Sequence, residues 1–543
     1  MWLESNLMSF GICKYLKEKL ECKLYSIINI EHFLKTIVVS CMKDKIIFWL
    51  DAHLLHYCIA YYFQKKYESD LYAIIDITNR PKKFFEKQNL VNFEKVWFLH
   101  DYIARKHSKP DLKFLSNFEK KYDLNLWQMV LNERLFYLHN YYYNFSSDEI
   151  LSILEQECKL FENILETIKP DFFITKETAL HHQHLFYELC KKNNIKVLML
   201  THAKIGSKFL ISEKMHKIDN IEKLENINFS NRDFPDLQKY LRSDGNTKKL
   251  IAYAHEKENF NLQKLKGFLQ FLFHSNSNIK THFSYYGRIK PKVLSKEILL
   301  RLESFRRKQF IDKNLLLKIN EDEPFVLFTL NQEPERSLLI AAPFLTNQIE
   351  TVRHIAKSLP IDYKLYVKEH FTQSLREWRP IHKYKQIISI PNVKLFHPST
   401  STTELIKKSS LVITVSGSAS LEAAFYAKPS IVFTEMGHSL LPSVFKINSL
   451  DELPKTIRTA LKHKVDPIEI DKYVTLIDKN SFYFDFFNYQ IDEAKWFSYG
   501  GFFADTEIPV EKMKSFLKFK ENEFMNLAHE FIKKINQIKK FKE

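Results

Sequence analysis

The sequence predicts an α/β chain of two Rossmann-type domains with helices at its C-terminal end, and three observations carry that expectation. Short apolar runs alternate with amphipathic helical patterns in both halves, as parallel strands joined by crossover helices require. At 543 residues the chain is long for one domain and suits two. Hydrophobic residues make up 45% and charged residues 27%, the range of a globular protein that can bury a large core without disulfides or metals.

In the first half, residues 23–30 (KLYSIINI), 46–50 (IIFWL), 71–77 (LYAIIDI), 171–174 (DFFI) and 196–200 (KVLML) read as strands, and 53–66, 160–168 and 180–193 as helices. Residues from about 85 to 155 are aromatic-rich and read as a helical insertion. From about 215 to 315 the pattern is polar and helical, ending in the basic stretch 301–313 (RLESFRRKQFIDK) before the acidic, proline-containing 321–324 opens a second unit. There, strands are expected at 325–330, 363–367, 393–396, 411–415 and 430–434, with helices at 348–359, 402–408, 418–427 and 453–463. The domains expected are an N-terminal Rossmann-like domain with helical insertions over 1–315, a C-terminal Rossmann-like nucleotide-binding domain over 316–475, and a helical extension over 476–543.

The formal net charge is +16, supplied mostly by lysine. Two readings stand: compositional drift over solvated faces, or attraction to an anionic partner such as a membrane surface, a nucleotide or an acidic glycan. Nucleic acid is not expected, because zinc-finger spacing, an RNP-like aromatic motif and a long basic helix are missing from the pattern. The six cysteines, Cys13, Cys22, Cys41, Cys58, Cys158 and Cys190, form no C-x-x-C pair and read as scattered reduced thiols. Glu4 interrupts the N-terminus, no signal peptide is read there, and no apolar run reaches membrane-spanning length. The expectation is a cytoplasmic chain whose membrane contact, at the inner face, is peripheral.

Three segments could carry chemistry in the second half. In 411–433 (LVITVSGSASLEAAFYAKPSIVF) a strand ends at Ser416, Gly417 turns, and Ser418 caps a helix containing Glu422. Free N–H groups and hydroxyls there suit a phosphate oxygen, and Glu422 stands one turn further in, within reach of a ribose hydroxyl; an ordinary N-cap with a tight turn gives the same pattern. In 364–371 (KLYVKEHF) a strand delivers Lys368, Glu369 and His370 at its carboxyl end, where a cation and an imidazole can meet a diphosphate; a solvated loop is the alternative. The strand ending in His397-Pro398-Ser399 reads more readily as a proline turn and cap. Together these ends, with Glu435 after the next strand, line one edge of an open sheet, where α/β ligands sit.

The runs Gln332-Glu333-Pro334-Glu335, Tyr366-Val367-Lys368-Glu369-His370, Ser416-Gly417-Ser418-Ala419-Ser420-Leu421-Glu422-Ala423 and Lys428-Pro429 resemble the capsule or surface polysaccharide biosynthesis family of GT-B glycosyltransferases, which includes Kdo transferases. The VKEH and SGS segments are also similar to motifs with which bacterial GT-B sialyltransferases hold CMP, though Phe371 stands where those enzymes have proline. The resemblance covers about 320–440 well and is looser before it. It implies a GT-B-like pair of domains facing a cleft, with a nucleotide-sugar donor, CMP-linked in the Kdo transferases, on Gln332, Glu333, Lys368, His370, His397, Ser416, Gly417, Ser418 and Glu422. It implies a glycan or lipid-linked glycan acceptor on the N-terminal domain, and neither a cofactor nor a bound metal.

The catalytic group is then sought at the first domain's strand ends. Glu177 follows the strand DFFIT, and Asp51 and His53 follow IIFWL; His370 is the candidate on the donor side. Thr201-His202-Ala203-Lys204 ends another strand and could touch an anionic acceptor. His181, His182 and His184 crowd one helix, which reads as a surface helix because no acidic or cysteine partner has metal-ligand spacing. Rival readings are a sugar-nucleotide epimerase of similar fold, a non-catalytic binding subunit of a polysaccharide assembly complex, and a polyol-phosphate transferase.

Overall fold

The computed structural model describes residues 43–103, 109–138, 141–219, 224–242, 262–320, 322–373 and 378–540. The strand expected at 23–30 and Cys13, Cys22 and Cys41 lie outside them. The chain divides into a unit over Met1–Asp44, almost all outside the described residues, and a unit over Lys45–Glu543 that contains both halves discussed here.

The apolar runs form strands because both faces of each are covered. In β1 (Asp44–Asp51), Ile46, Phe48 and Leu50 enter one core and Ile47 and Trp49 the other, the two-residue period of a pleated strand buried on both sides. The first sheet continues with β2 (Ser69–Asp76), β3 (Lys95–Phe98), β4 (Phe172–Lys176) and β5 (Lys196–His202), all parallel in the order β3-β2-β1-β4-β5. Two antiparallel strands extend it: β6 (Lys208–Ser212) pairs β5 in a hairpin whose turn holds Lys204 at φ +63°, and β13 (Phe482–Tyr483) pairs β6. One face packs on the helix Ser147–Ile168, which opens with a Ser146/Glu149 capping box, and on His181–Lys192. The other packs on Leu55–Phe63 and on the C-terminal helices, through Met513, Phe516, Phe524 and Phe531.

The second sheet has β7 (Phe325–Thr329), β8 (Lys364–Lys368), β9 (Val393–Phe396), β10 (Leu411–Thr414), β11 (Ser430–Val432) and β12 (Val444–Lys446), in the order β9-β8-β7-β10-β11-β12. All five pairings are parallel. Each sheet therefore runs outward from its first strand and then reverses, with the switch point between β1 and β4 and between β7 and β10. Val326, Phe328 and Ile413 face one core, and Phe325, Leu327 and Val412 the other. A further core joins the halves, combining Ala203, Ile205 and Leu210 with Phe425, Val432 and Tyr473. The layout is the GT-B-like pair of Rossmann-type domains expected, with helices at the C-terminus.

Three expectations change. The 85–155 stretch is not simply helical: Lys95–Phe98 is the edge strand of the first sheet, and Ser147–Ile168 covers that sheet's face. The basic stretch at 301–313 belongs to one continuous helix, Lys290–Asn314, as the polar helical pattern suggested, so the chain does carry the long basic helix that the pattern was read as lacking. The histidine-bearing helix is not a surface helix, since His181 and His182 are 3% and 1% exposed. Cys58, Cys158 and Cys190 are free thiols buried in the core. Among the described residues, no helix is long and apolar enough to cross a membrane.

Candidate functional site

The carboxyl end of β7 runs straight into polar residues. Asn331 and Gln332 are buried there, so their amides must find partners. Asn331 donates to Ser416 Oγ (3.2 Å), and Ser416 Oγ donates across to the Ser337 carbonyl (2.7 Å). These bonds tie the two strands that flank the switch point. Gln332 donates to the Thr372 carbonyl (2.9 Å) and accepts from Thr372 Oγ1 (3.0 Å), and the same threonine lies 2.9 Å from His370 Nδ1. His370 stacks on Phe371, and burial pushes its imidazole down to about 4, so it is neutral at ordinary pH.

Beneath these groups lies a buried ion network. Arg379, 4% exposed, pairs with Glu369 (Nε–Oε2, 2.9 Å) and Glu333 (2.5 Å) and donates to the Asn331 carbonyl (2.6 Å). Tyr384 donates to Glu369 (2.8 Å). Burial alone would lower the Arg379 guanidinium; the two carboxylates instead raise it. Burial pushes Glu333 up, but Arg379 and Lys383 outweigh it and hold the carboxyl below its usual range. A cavity of about 420 Å³ opens beside the network, lined by Glu333, Glu335, Asn347, His382, Lys383 and Gln386, a size that accepts a small ligand.

Gly417 sits at the β10 turn with its N–H donated to Thr414 Oγ1 (3.1 Å), and a Cβ there would press on that hydroxyl. Ser418 is exposed at the start of the short helix Ala419–Phe425. Ser420 donates to the Gly417 carbonyl (3.0 Å) and meets His438 Nε2 at 2.6 Å. The other expected donor residues turn to partners of their own. Lys368 is 2% exposed and spends its ammonium on the Glu369 and Pro398 carbonyls (2.7 and 2.8 Å), burial lowering it to about 8. His397, at the end of β9, faces Asp312 (3.1 Å) and Ser399 (2.6 Å). Glu422 accepts from Thr403 (2.6 Å), and burial raises its carboxyl.

Across from this edge, Glu177 leaves β4. It accepts from Thr201 Oγ1 (2.6 Å) and the His202 amide (3.3 Å), with His216 Nδ1 at 3.2 Å. Burial favours its protonated form, but His216, Lys204, Arg336 and the Thr201 hydroxyl overturn that and bring the carboxyl to about 2. Burial itself drives His216 down to about 3. The ring is therefore a neutral hydrogen-bond partner at ordinary pH, and Lys204 and Arg336 supply the positive charge. Asp51 forms an ion pair with Lys176 and accepts the His53 amide (2.9 Å), while His53 Nδ1 turns to Glu493 (3.3 Å).

The two edges touch. Arg336, from the loop after β7, reaches Thr178 Oγ1 (3.3 Å) and contacts Met215. Lys217 pairs with Glu435 (2.6 Å). Gly437 lies so close to the His216 carbonyl that a Cβ would collide with it. The structure thus gathers Gln332, Glu333, His370 and Ser416 into one bonded set and carries Glu177 to the facing edge. Asn331, Arg379, Arg336 and His216 were not singled out from sequence. The scarcity of arginine was a usable signal for two of them, whereas His216 has no local signal, because its partners Thr201, His202 and Glu177 lie on other elements of the fold.

No family model and no curated protein matches the chain. Among solved structures, UDP-GlcNAc 2-epimerase from Methanocaldococcus jannaschii is 14% identical, with 80% of this chain and 99% of that chain covered and a TM-score of 0.23. Thermosulfurimonas dismutans KpsC, beta Kdo 2,4 transferase, is 9% identical over 56% and 78% of the two chains, with a TM-score of 0.27. The beta Kdo 2,7 transferase of the same KpsC is 10% identical over 61% and 80%, with a TM-score of 0.26. These likenesses assign no residue and no activity to this chain.

Proposed function

We propose that the chain is a metal-independent GT-B glycosyltransferase that moves a sugar from a nucleotide donor, of the CMP-activated acidic class, to a surface polysaccharide or glycoconjugate acceptor. The observation that carries this reading is the meeting of two switch-point edges: Glu177 stands at one, the Asn331–Ser416 and Gln332–His370 pairings at the other, and Arg336 passes between them. Such an edge is where nucleotides bind on Rossmann sheets, and two facing ones provide separate places for donor and acceptor.

In this reading the donor lies along Gln332, Glu333, His370 and Ser416–Ser418. Neutral amides, hydroxyls and backbone N–H groups would hold its phosphate, with Lys368 and Glu369 shaping the loop from below. Glu177, ionised at ordinary pH, suits nucleophilic attack or stabilisation of developing positive charge better than proton abstraction, which favours a pKa nearer the working pH. Asp51, neutralised by Lys176, is the second carboxylate on that edge. The helix Lys290–Asn314 exposes Ile298, Leu302 and Phe305 among arginines and lysines, a surface suited to keeping a cytoplasmic enzyme at an anionic inner membrane face.

The test is a thermal-shift panel of CMP, CDP, UDP, GDP and dTDP on the full chain. A ligand at about a hundred times its dissociation constant adds roughly 2.7 kcal/mol, a clear upward shift. A shift with CMP that is lost in His370→Ala and Ser418→Ala supports the reading. Preference for UDP, with conversion of a UDP-sugar in the absence of acceptor, replaces it with the epimerase reading. Silence with all five nucleotides removes the donor site and leaves a binding subunit.

A further inference from the structure

A second polar cluster lies inside the first half, away from Glu177. His181 Nδ1 meets Glu133 Oε2 and its Nε2 meets Glu157 Oε2, both at 3.0 Å. His182 Nε2 meets Asp76 Oδ2 at 2.9 Å, and His100 takes the other Asp76 oxygen at 3.0 Å. Glu157, His181 and His182 are 0%, 3% and 1% exposed. One ligand atom from each of these three lies within 4.8 Å of the others.

The bonding is incomplete where it costs most. His182 Nδ1 and Glu157 Oε1 are buried and have no partner, and an unmade bond at such an atom is expensive. The bonds already made are those a metal ligand needs behind it. Asp76 fixes His182 through Nε2, and Glu133 fixes His181 through Nδ1, the carboxylate–histidine arrangement that orients an imidazole towards an ion. Trp49 stacks on His182 with ring centroids 5.8 Å apart and Phe136 packs on His181, so aromatic rings flank the cluster beside its carboxylates. A cavity of about 80 Å³ at the joint between the halves, lined among others by Glu133, Ala179, His181 and His184, borders the cluster on the His181 side.

We propose that Glu157, His181 and His182 bind one divalent first-row transition-metal ion through His181 Nε2, His182 Nδ1 and the Glu157 carboxylate, with Asp76 and Glu133 as the supporting carboxylates. Two imidazoles and a carboxylate suit zinc or its neighbours better than magnesium or calcium. The ion takes the place of the hydrogen between His181 and Glu157 and fills the bonding left open at His182 Nδ1 and Glu157 Oε1. Tetrahedral zinc sets its ligand atoms about 3.3 Å apart, close to the 3.0 Å already separating His181 from Glu157. The burial makes the site structural: it pins the start of the helix His181–Lys192, directly after Glu177, and takes no part in sugar transfer.

The full chain, produced in zinc-supplemented medium and dialysed free of loose metal, should carry about one zinc per chain by mass spectrometry of the elements. After chelation it should take up cobalt(II) with visible absorption and melt higher when zinc is restored. Glu157→Gln and His182→Gln should each lower retention more than tenfold with near-ultraviolet circular dichroism unchanged, and Asp76→Asn should weaken it by about 10–100-fold. If those variants fail to fold, the wild-type cobalt titration decides alone. A folded wild-type chain that takes up neither metal, or folded variants that retain it fully, would overturn the site.

Discussion

At the carboxyl edge of the first sheet the strand ends carry charge: Asp51 on Lys176, Glu177 among Lys204 and Arg336, and Asp76 between two histidines. At the matching edge of the second sheet the strand ends carry buried hydroxyls and amides and a neutral imidazole, with the ions Glu333, Glu369 and Arg379 paired beside them. The two sheets share a strand order, so topology places both edges alike; the side chains decide what each can do. A charged edge suits the reacting carbons of a transfer, whereas a hydrogen-bonding edge holds a phosphate without fixing it too tightly. The contrast can be broken by mutation on either side.

The largest effect is expected at the charged edge. Glu177→Gln should cut turnover by about 10²–10³-fold or more in a transfer assay and leave nucleotide-induced thermal shifts intact; unchanged turnover would remove Glu177 from the catalytic role. The same substitution bears on acid stability. The folded carboxyl titrates at about 2, below its ordinary 4.5. Its ionised form therefore stabilises the fold above 4.5, and that contribution is lost as pH falls towards 2. Glu177→Gln should flatten the acid limb of a denaturation-against-pH profile in that window.

At the other edge, Arg379→Ala takes the ion-pair partner from buried Glu369 and leaves Glu333 to Lys383 alone, and should cost about 3–5 kcal/mol in urea denaturation. A loss of only a few tenths would mean that the network is wetter than its burial indicates. The ion pair that links the two edges, Lys217–Glu435, is more than half exposed on its acidic side, so Glu435→Gln should change stability by less than about 1 kcal/mol. The smallest response concerns pH. His370 is neutral above about 4, and the ordinary histidine value is 6.5; nucleotide affinity should therefore stay flat through the region around 6.5. A fall in affinity as pH rises there would show a protonated, anion-binding His370 in place of the neutral one.

The alternation of apolar runs was enough to place most strands within a residue or two, because a strand buried on both faces must be apolar along its whole length. β7 to β11 and β1, β2, β4 and β5 were legible for that reason. β3 was hidden in aromatic sequence that satisfies helix and strand equally, β6 is a short strand set by its hairpin with β5, and β13 is a two-residue edge strand whose partner β6 stands far back in the chain. Of the candidate residues, His370, Ser416 and Glu177 were placed at or just past strand ends by the apolar pattern, whereas Gln332 entered through the family resemblance. The sequence by itself determined that position, since the end of a parallel strand is where its backbone leaves the sheet and side chains meet the ligand edge. Only the tertiary structure decided their state: Lys368 turns inward to two carbonyls, His181 and His182 are buried against Glu133, Glu157 and Asp76, and Arg336 crosses to Glu177. Burial and charge pairing between residues of different elements, some more than a hundred positions apart, are properties of the packed chain, and no local spacing encodes them.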